Sequence, residues 1–252
     1  MSLYQAIHKL LNRKKRHDEK AGIIYSADGL RTNNKNLEAL SERKFLYAWN
    51  KARIANEKGW PKGVPDIRWR AHIAIWAATN GLNIEGDFVE CGVHTGILSL
   101  SICHYLDFNE LNKKFFLFDT YEGIPIDTLS GPEINRAKYL NEVQYSNSYE
   151  IAKTNFNEFP DAILVKGIIP QSLNLVDIKK ISYLSIDLNN AVAEICAMEY
   201  FWPKLSSSAI VVLDDYAVLQ HEPQKLAMDE YAKSVNVSIV SLPTGQGLLI
   251  KP

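Results

Sequence analysis

The sequence predicts an α/β fold: a doubly wound, mostly parallel seven-stranded sheet preceded by a helical N-terminal extension. Three observations carry that expectation. From residue 86 onward, continuous apolar runs alternate with segments of helical spacing, the pattern of parallel strands buried on both faces. The stretch Gly86-Asp-Phe-Val-Glu90-Cys-Gly92-Val-His-Thr-Gly96-Ile-Leu-Ser-Leu-Ser101 reads as a strand, a tight glycine turn and a helix start. Glu90, Asp119, Asp187 and Asp214-Asp215 each stand where an apolar strand finishes, which sets them along one crevice.

Residues 1–20 pair a short amphipathic piece (Leu3, Ile7, Leu10, Leu11) with the basic run Arg13–Arg16, read as a solvated terminus. Gly22, Asp28, Gly29 and Asn33-Asn34 mark 21–34 as a loop. Leu37, Leu40, Phe45, Leu46, Trp49 and Ile54 give a helix over 37–58, and Ile73, Ile75 and Trp76 another over 67–80 with Gly81 as its C-cap. These helices are expected to cover the sheet or a neighbouring subunit. The chain divides into an extension, 1–81, and a sheet domain, 82–252.

Within the second part, strand 87–91 leads to helix 96–106 and then to strand 115–118, which ends at Asp119. A long polar connection, 122–148, is expected to act as a lid, because connections of that length are usually functional or mobile. Helix 149–158, strand 162–166, strand 181–188, helix 191–202, strand 209–213 and helix 223–234 follow. A terminal hairpin of 237–242 and 247–251 turns around Thr244-Gly245. Right-handed crossovers make such a sheet doubly wound.

The chain has 252 residues, 46% of them hydrophobic and 23% charged, enough for one full core. A net charge of −1 argues against broad binding to nucleic acid or to an acidic membrane surface. Cys91, Cys103 and Cys196 lie in apolar contexts without metal-site spacing and read as reduced thiols. No signal-peptide pattern and no membrane-length apolar run is present, and a cytoplasmic location is expected.

The acid at the end of the first strand decides the chemistry of the turn. Free N–H groups and a helix dipole would draw a phosphate, but a carboxylate beside them repels one and suits a cation. The amino group of S-adenosylmethionine is such a cation. Gly92 is expected to admit a close ligand and Gly96 a close helix. Asp119 ends the next strand, where a carboxylate can accept from ribose hydroxyls. Asp187, Asp214 and Asp215 would repel one another if bare, and a divalent ion such as Mg²⁺ would turn them into oxygen ligands.

Phe88-Val-Glu-Cys-Gly-Val-His-Thr-Gly96, Phe118-Asp-Thr-Tyr-Glu-Gly-Ile-Pro125, Val165-Lys-Gly-Ile-Ile-Pro170 and Val211-Val-Leu-Asp-Asp-Tyr216 together resemble the macrocin O-methyltransferase (TylF/MycF-like) family, in order and spacing, from about residue 28 to the end. The resemblance implies a class I, Rossmann-like methyltransferase dependent on S-adenosylmethionine and a metal. It further implies a small, sugar-containing acceptor and a homo-oligomer. It places Glu90 and Gly92 at the cofactor's methionine part, with Cys91, Val93 and Gly96 beside them, and Asp119 with Thr120 at the ribose. Gly167-Ile168 would lie near the adenine. Asp187, Asp214 and Asp215 would bind Mg²⁺, with Asp187 also the base.

Tyr121, Glu122, Tyr216 and His221 stand beside the crevice as acceptor contacts, and His94 in the turn is a further candidate to assist. The chain departs from its relatives where they read Ile-Asp-Val-Asp-Leu-Tyr and it reads Ile186-Asp187-Leu188-Asn189-Asn190-Ala191, losing an acid and a tyrosine. Ile97 replaces a small residue. A silent cofactor-binding homologue with a decayed acceptor site is therefore the competing reading. A nicotinamide oxidoreductase on the same sheet lacks its G-x-G-x-x-G turn and Tyr-x-x-x-Lys pair.

Overall fold

The computed structural model describes residues 23–252 apart from 128, 130 and 146, so the amphipathic piece and basic run of residues 1–20 lie outside the described residues. A hairpin comes first, β1 (Ile23–Ala27) and β2 (Leu30–Asn33), followed by α1 (Glu38–Ser41), α2 (Arg43–Ala55) and α3 (Arg68–Gly81). The sheet begins with β3 (Asp87–Cys91), α4 (Ile97–Leu106), β4 (Phe115–Asp119), α5 (Pro132–Val143), α6 (Tyr149–Asn155) and β5 (Ala162–Lys166). It continues with β6 (Ile181–Ile186), α7 (Ala191–Phe201), β7 (Leu205–Leu213), α8 (Glu222–Ser234), β8 (Val240–Ser241) and β9 (Gly247–Ile250). Among the described residues no helix is long and apolar enough to cross a membrane.

The seven-stranded sheet has the order β5-β4-β3-β6-β7-β9-β8. β3 pairs in parallel with both β4 and β6, while β9 runs antiparallel between β7 and β8. The chain steps outward from β3 to β5, then returns to the other side of β3, so the strand order reverses between β3 and β6. That reversal opens a crevice past their carboxyl ends. Alternation along each strand sends side chains to two faces. Phe88, Tyr183 and Val212 face α2, α3 and α4, while Val89, Leu184 and Val211 face Ala197, Met198 and Phe201 of α7.

Several elements differ from the sequence reading. Residues 23–33 form a hairpin where a loop was expected, because Asp28 and Gly29 both take positive φ (50° and 70°), the two-residue turn that matches strand twist. Extended backbone at Glu42 (φ −58°, ψ 136°) divides the first expected helix into α1 and α2. The polar connection carries α5, opened by Pro132 at its first turn and packed through Ala137 onto Ile124 and Leu129. β7 starts at Leu205, four residues before its fully buried run.

The helices before the sheet pack onto it. Phe45, Trp49, Ala74 and Ile75 share one buried core with Phe88, Tyr183 and Val212 of the sheet. A buried polar latch reinforces it: Thr95 Oγ1, in the turn after β3, donates to Asn56 Oδ1 at 2.5 Å, and Asn56 Nδ2 donates to the Ala52 carbonyl at 2.8 Å. Both side chains are fully buried. Asn56→Ala strands the Thr95 hydroxyl, and a buried polar group without a partner costs about 1–3 kcal/mol. Urea unfolding should shift by that amount in one cooperative transition. A separate early transition would instead show that residues 23–81 unfold independently.

Candidate active site

Past the carboxyl ends of β3, β4, β6 and β7 lies a cavity of about 330 Å³, within the range of small-molecule sites. Its walls are set by three turns, each holding a non-glycine residue at positive φ: His94 at 52°, Tyr121 at 56° and Asn189 at 54°. Such backbone is uncommon outside asparagine and glycine, and it clusters at functional sites.

The β3 turn is fixed by Asp119. Its Oδ2 accepts from the backbone N–H groups of Val93 and His94, both at 2.7 Å, and its Oδ1 accepts from the Tyr121 N–H at 2.6 Å. Asp119 therefore ties two strand ends together, with the Thr120 hydroxyl a further, longer donor to Oδ1 at 3.4 Å. A Cβ on Gly92 (φ +88°) would stand 1.7 Å from the Asp187 carbonyl, and one on Gly96 (φ +93°) would meet the Phe156 ring at 2.4 Å. Gly92 thus lets β3 and β6 close on each other, and it also lines the cavity.

Glu90 lies on the cavity floor, 3% exposed. Ser99 Oγ donates to its Oε1 at 3.3 Å, while Oε2 is buried without a hydrogen-bond partner. Burial pushes this carboxyl up to about 8, against the help of Ser99 and with the nearby Asp214 adding to it.

Opposite stand Asp187, Asp214 and Asp215, with a cation the sequence did not announce. Arg70 of α3 reaches across: its Nη1 donates to Asp214 Oδ2 at 2.7 Å and to Asp215 Oδ1 at 2.9 Å, and its Nε donates to Asp28 Oδ2 at 2.6 Å. The Arg70 side chain is 12% exposed. Burial opposes its charge, but Asp214, Asp215 and Asp28 override that and hold it firmly protonated. Asp214 Oδ1 accepts from Gln246 Nε2 at 2.8 Å, and His221 Nε2 lies 3.4 Å from Asp215 Oδ2. Asp187 has no such cation. Asn189 Nδ2 donates to its Oδ1 at 3.2 Å, and burial, then Asp215 and Asp214, drive its carboxyl well above the usual carboxylate range.

The macrocin-O-methyltransferase (TylF) family profile matches residues 70–240. The chain belongs to that family. It is accordingly an S-adenosylmethionine-dependent methyltransferase. Three solved structures share its fold. The O-methyltransferase NovP is 22% identical, with a TM-score of 0.62, over 72% of this chain and 79% of that one. The calicheamicin methyltransferase CalS11 is 16% identical, with a TM-score of 0.53, over 71% and 77%. A putative caffeoyl-CoA O-methyltransferase from Staphylococcus aureus is 13% identical, with a TM-score of 0.55, over 86% and 96%. No curated protein matches the sequence.

This TylF-family site fits the cofactor. The unpartnered Glu90 oxygen, buried beside a turn that includes Gly92 and Val93, is a place where a cation such as the cofactor's amino group fits. Asp119 and Thr120 also line the cavity, while the buried Cys91 and Gly96 flank its lining residues in the chain. Gly167 sits beside Asp119, its N–H donating to the Asp119 carbonyl at 2.9 Å, and Ile168 is exposed next to it.

The site does not fit the expected Mg²⁺. Both oxygens of Asp214 are taken by Arg70 and Gln246, and Oδ1 of Asp215 by Arg70. Among the described residues no group of three His, Cys, Asp or Glu side chains is arranged to hold an ion.

The expected acceptor contacts also fall elsewhere. Tyr121 is fully buried and donates to the Leu117 carbonyl at 3.0 Å. Tyr216 packs into the core with its hydroxyl on Asp229, and Glu122 pairs with Lys166 on the surface at 2.6 Å. His221 is fully buried, and Gln224 Nε2 lies 3.1 Å from its Nδ1. The cavity is lined instead by Trp60, His94 and Tyr145, whose rings meet edge to face at 5.3 Å and 5.1 Å. Burial holds His94 below its usual range, so it is neutral at pH 7.

Glu90 contributes to the pH dependence of the free enzyme. Folding raises its carboxyl from 4.5 to about 8, so the folded protein holds a proton that the unfolded chain releases between those values. Stability contributed by Glu90 is full below about 4.5 and is lost as pH rises through about 8. Glu194, also raised to about 8 by burial and then by Asp215, adds the same slope. His72, His94, His104 and His221, all held below their usual range chiefly by burial, give the opposite slope, so the share of Glu90 is read as a difference. The thermal midpoint of cofactor-free Glu90→Gln relative to wild type should rise between pH 5 and 8. The same variant should weaken S-adenosylhomocysteine by about 1.5–3 kcal/mol, as expected for a lost hydrogen bond to a charged group. An unaltered pH slope together with unaltered affinity would remove Glu90 from the amino-group site.

Proposed function

We propose that this enzyme methylates a hydroxyl group of a small, sugar-containing acceptor, with Asp187 as the base. The observation that carries the reading is Asp187 itself. It is the one of the three clustered carboxylates that Arg70 does not touch, and it lines the same cavity as Glu90 and Asp119. When bound, S-adenosylmethionine supplies a methyl group activated by its sulfonium. A hydroxyl is a poor nucleophile at neutral pH, so a base must take its proton as the new bond forms. Burial and two neighbouring carboxylates raise the proton affinity of Asp187, which suits it to that task.

The rest of the cavity holds the reactants. Glu90 is the ligand for the amino group and Asp119 for the ribose. Trp60, His94 and Tyr145 offer apolar and aromatic surface of the kind that packs against sugar rings. Asn189 orients Asp187 through its 3.2 Å hydrogen bond, and Asn190 caps α7 by accepting from the Ala193 N–H at 3.1 Å. Asn189 thus lines the cavity and supports Asp187, which counts against its marking a decayed site. An acceptor containing a sugar is further supported by the likeness to CalS11, described as a TDP-rhamnose 3′-O-methyltransferase (19% identical, TM-score 0.50).

Transfer of labelled methyl groups to a panel of nucleotide sugars and glycosides tests the function. At least one acceptor should be labelled, and Asp187→Asn should lower turnover by about 10²–10⁴-fold, as for loss of a general base, with S-adenosylhomocysteine affinity nearly intact. An equally active variant would remove Asp187 as the base. Cofactor binding without transfer to any acceptor would favour the silent homologue.

A further inference from the structure

The strand-end carboxylates are the place where a divalent ion would be expected, yet their charge is already answered from within the chain. Arg70 projects from α3, an element outside the sheet, and lies between Asp28, Asp214 and Asp215 with contacts of 2.6–2.9 Å. Its guanidinium grips Asp28 through two nitrogens, Nε to Oδ2 at 2.6 Å and Nη2 to Oδ1 at 3.4 Å, which fixes the fork in orientation. Nη1 then points at the strand ends and also donates to the Asp214 carbonyl at 3.3 Å. The guanidinium is always charged at working pH, and its planar fork spans Asp28 and the strand ends at once.

Two consequences follow for a metal. A hard divalent ion needs free carboxylate oxygens at short range, and Arg70 engages Oδ2 of Asp214 and Oδ1 of Asp215 while Gln246 engages the other oxygen of Asp214. An ion bound there would also sit beside a fixed positive charge in a site shielded from water, where repulsion is little screened. Asp28, whose side chain is 23% exposed, anchors the guanidinium from the hairpin turn, so moving Arg70 aside means breaking contacts on both sides.

Resting on the function proposed above, we infer that Arg70 fills the electrostatic role of the divalent cation, and that this chain binds acceptor and transfers methyl groups without a metal. Arg70 offsets Asp214 and Asp215, leaving Asp187 to handle the proton. The positive charge is thereby built in and cannot be removed by chelation.

Binding of Mn²⁺ by the full-length protein, followed by electron paramagnetic resonance of the free ion with S-adenosylhomocysteine present, gives a readout independent of acceptor and turnover. The wild type should show no saturable Mn²⁺ binding that Asp214→Asn removes. Arg70→Met keeps the apolar stem and removes the charge, and it should gain a saturable site that Asp214→Asn abolishes. Arg70→Lys keeps a charge and should stay without one, which guards against misfolding of the Met variant. Turnover of the wild type should be equal in EDTA and in Mg²⁺. Saturable, Asp214-dependent Mn²⁺ binding by the wild type, or loss of its turnover in EDTA, would overturn the inference. Either result with S-adenosylhomocysteine still bound would leave the methyltransferase function standing. Failure to bind S-adenosylhomocysteine would strike at that function and not at Arg70.

Discussion

The contact on which this molecule depends is the bridge from Arg70 to Asp28, Asp214 and Asp215. Parallel strands that finish at one level bring their terminal acids within a few ångströms of one another. Unit charges at about 4 Å, with an effective dielectric of about 20, interact by about 4 kcal/mol. Unanswered, that repulsion would pry apart the crevice that the strand order creates. A single buried guanidinium turns it into attraction, and because the guanidinium comes from α3 it also closes the N-terminal segment over the site. Removing one partner of a buried pair typically costs about 3–5 kcal/mol, since the other charge is left unanswered.

That bridge explains why the segment before the sheet cannot be viewed as an appendage. Asp28 from the hairpin turn, Trp60, Pro65 and Ile67 from the connection before α3, and Arg70 itself all line the cavity. The Thr95–Asn56 hydrogen bond ties the end of α2 to the cofactor turn. Gly59 packs so tightly there that a Cβ would stand 2.5 Å from the Thr95 side chain. The crevice is therefore built from both parts of the chain.

Much of the fold was legible because strands buried on both faces leave continuous apolar runs: β3 and β5 fall on the expected residues, 87–91 and 162–166. The acids at their ends were legible for the same reason, and Glu90, Asp119, Asp187, Asp214 and Asp215 do share one cavity. Arg70 was not. It sits 144 positions from Asp214, in a helix whose apolar residues already explained its presence, and one sequence carries no information about pairs. Tyr121 and Tyr216 show the opposite error: a place beside the crevice in the chain does not fix where a side chain points, and both turn toward the core. α5 escaped because its apolar face is thin, although Ile134, Ala137 and Leu140 recur at a spacing of three behind Pro132. Asn189 looked like a lost acid. In the structure its residue type answers a backbone demand, positive φ, and its amide serves Asp187.

A double-mutant cycle on folding stability, using Arg70→Met and Asp214→Asn singly and together, tests most directly whether the bridge holds the site. If the account is right, Arg70→Met alone is strongly destabilising because it leaves Asp214 and Asp215 facing each other, and Asp214→Asn relieves part of that loss. The coupling between the two should then lie within about 0.5–3 kcal/mol, the range for residues in one ion-pair network. Strictly additive losses would mean that Arg70 and Asp214 act independently, and would contradict it.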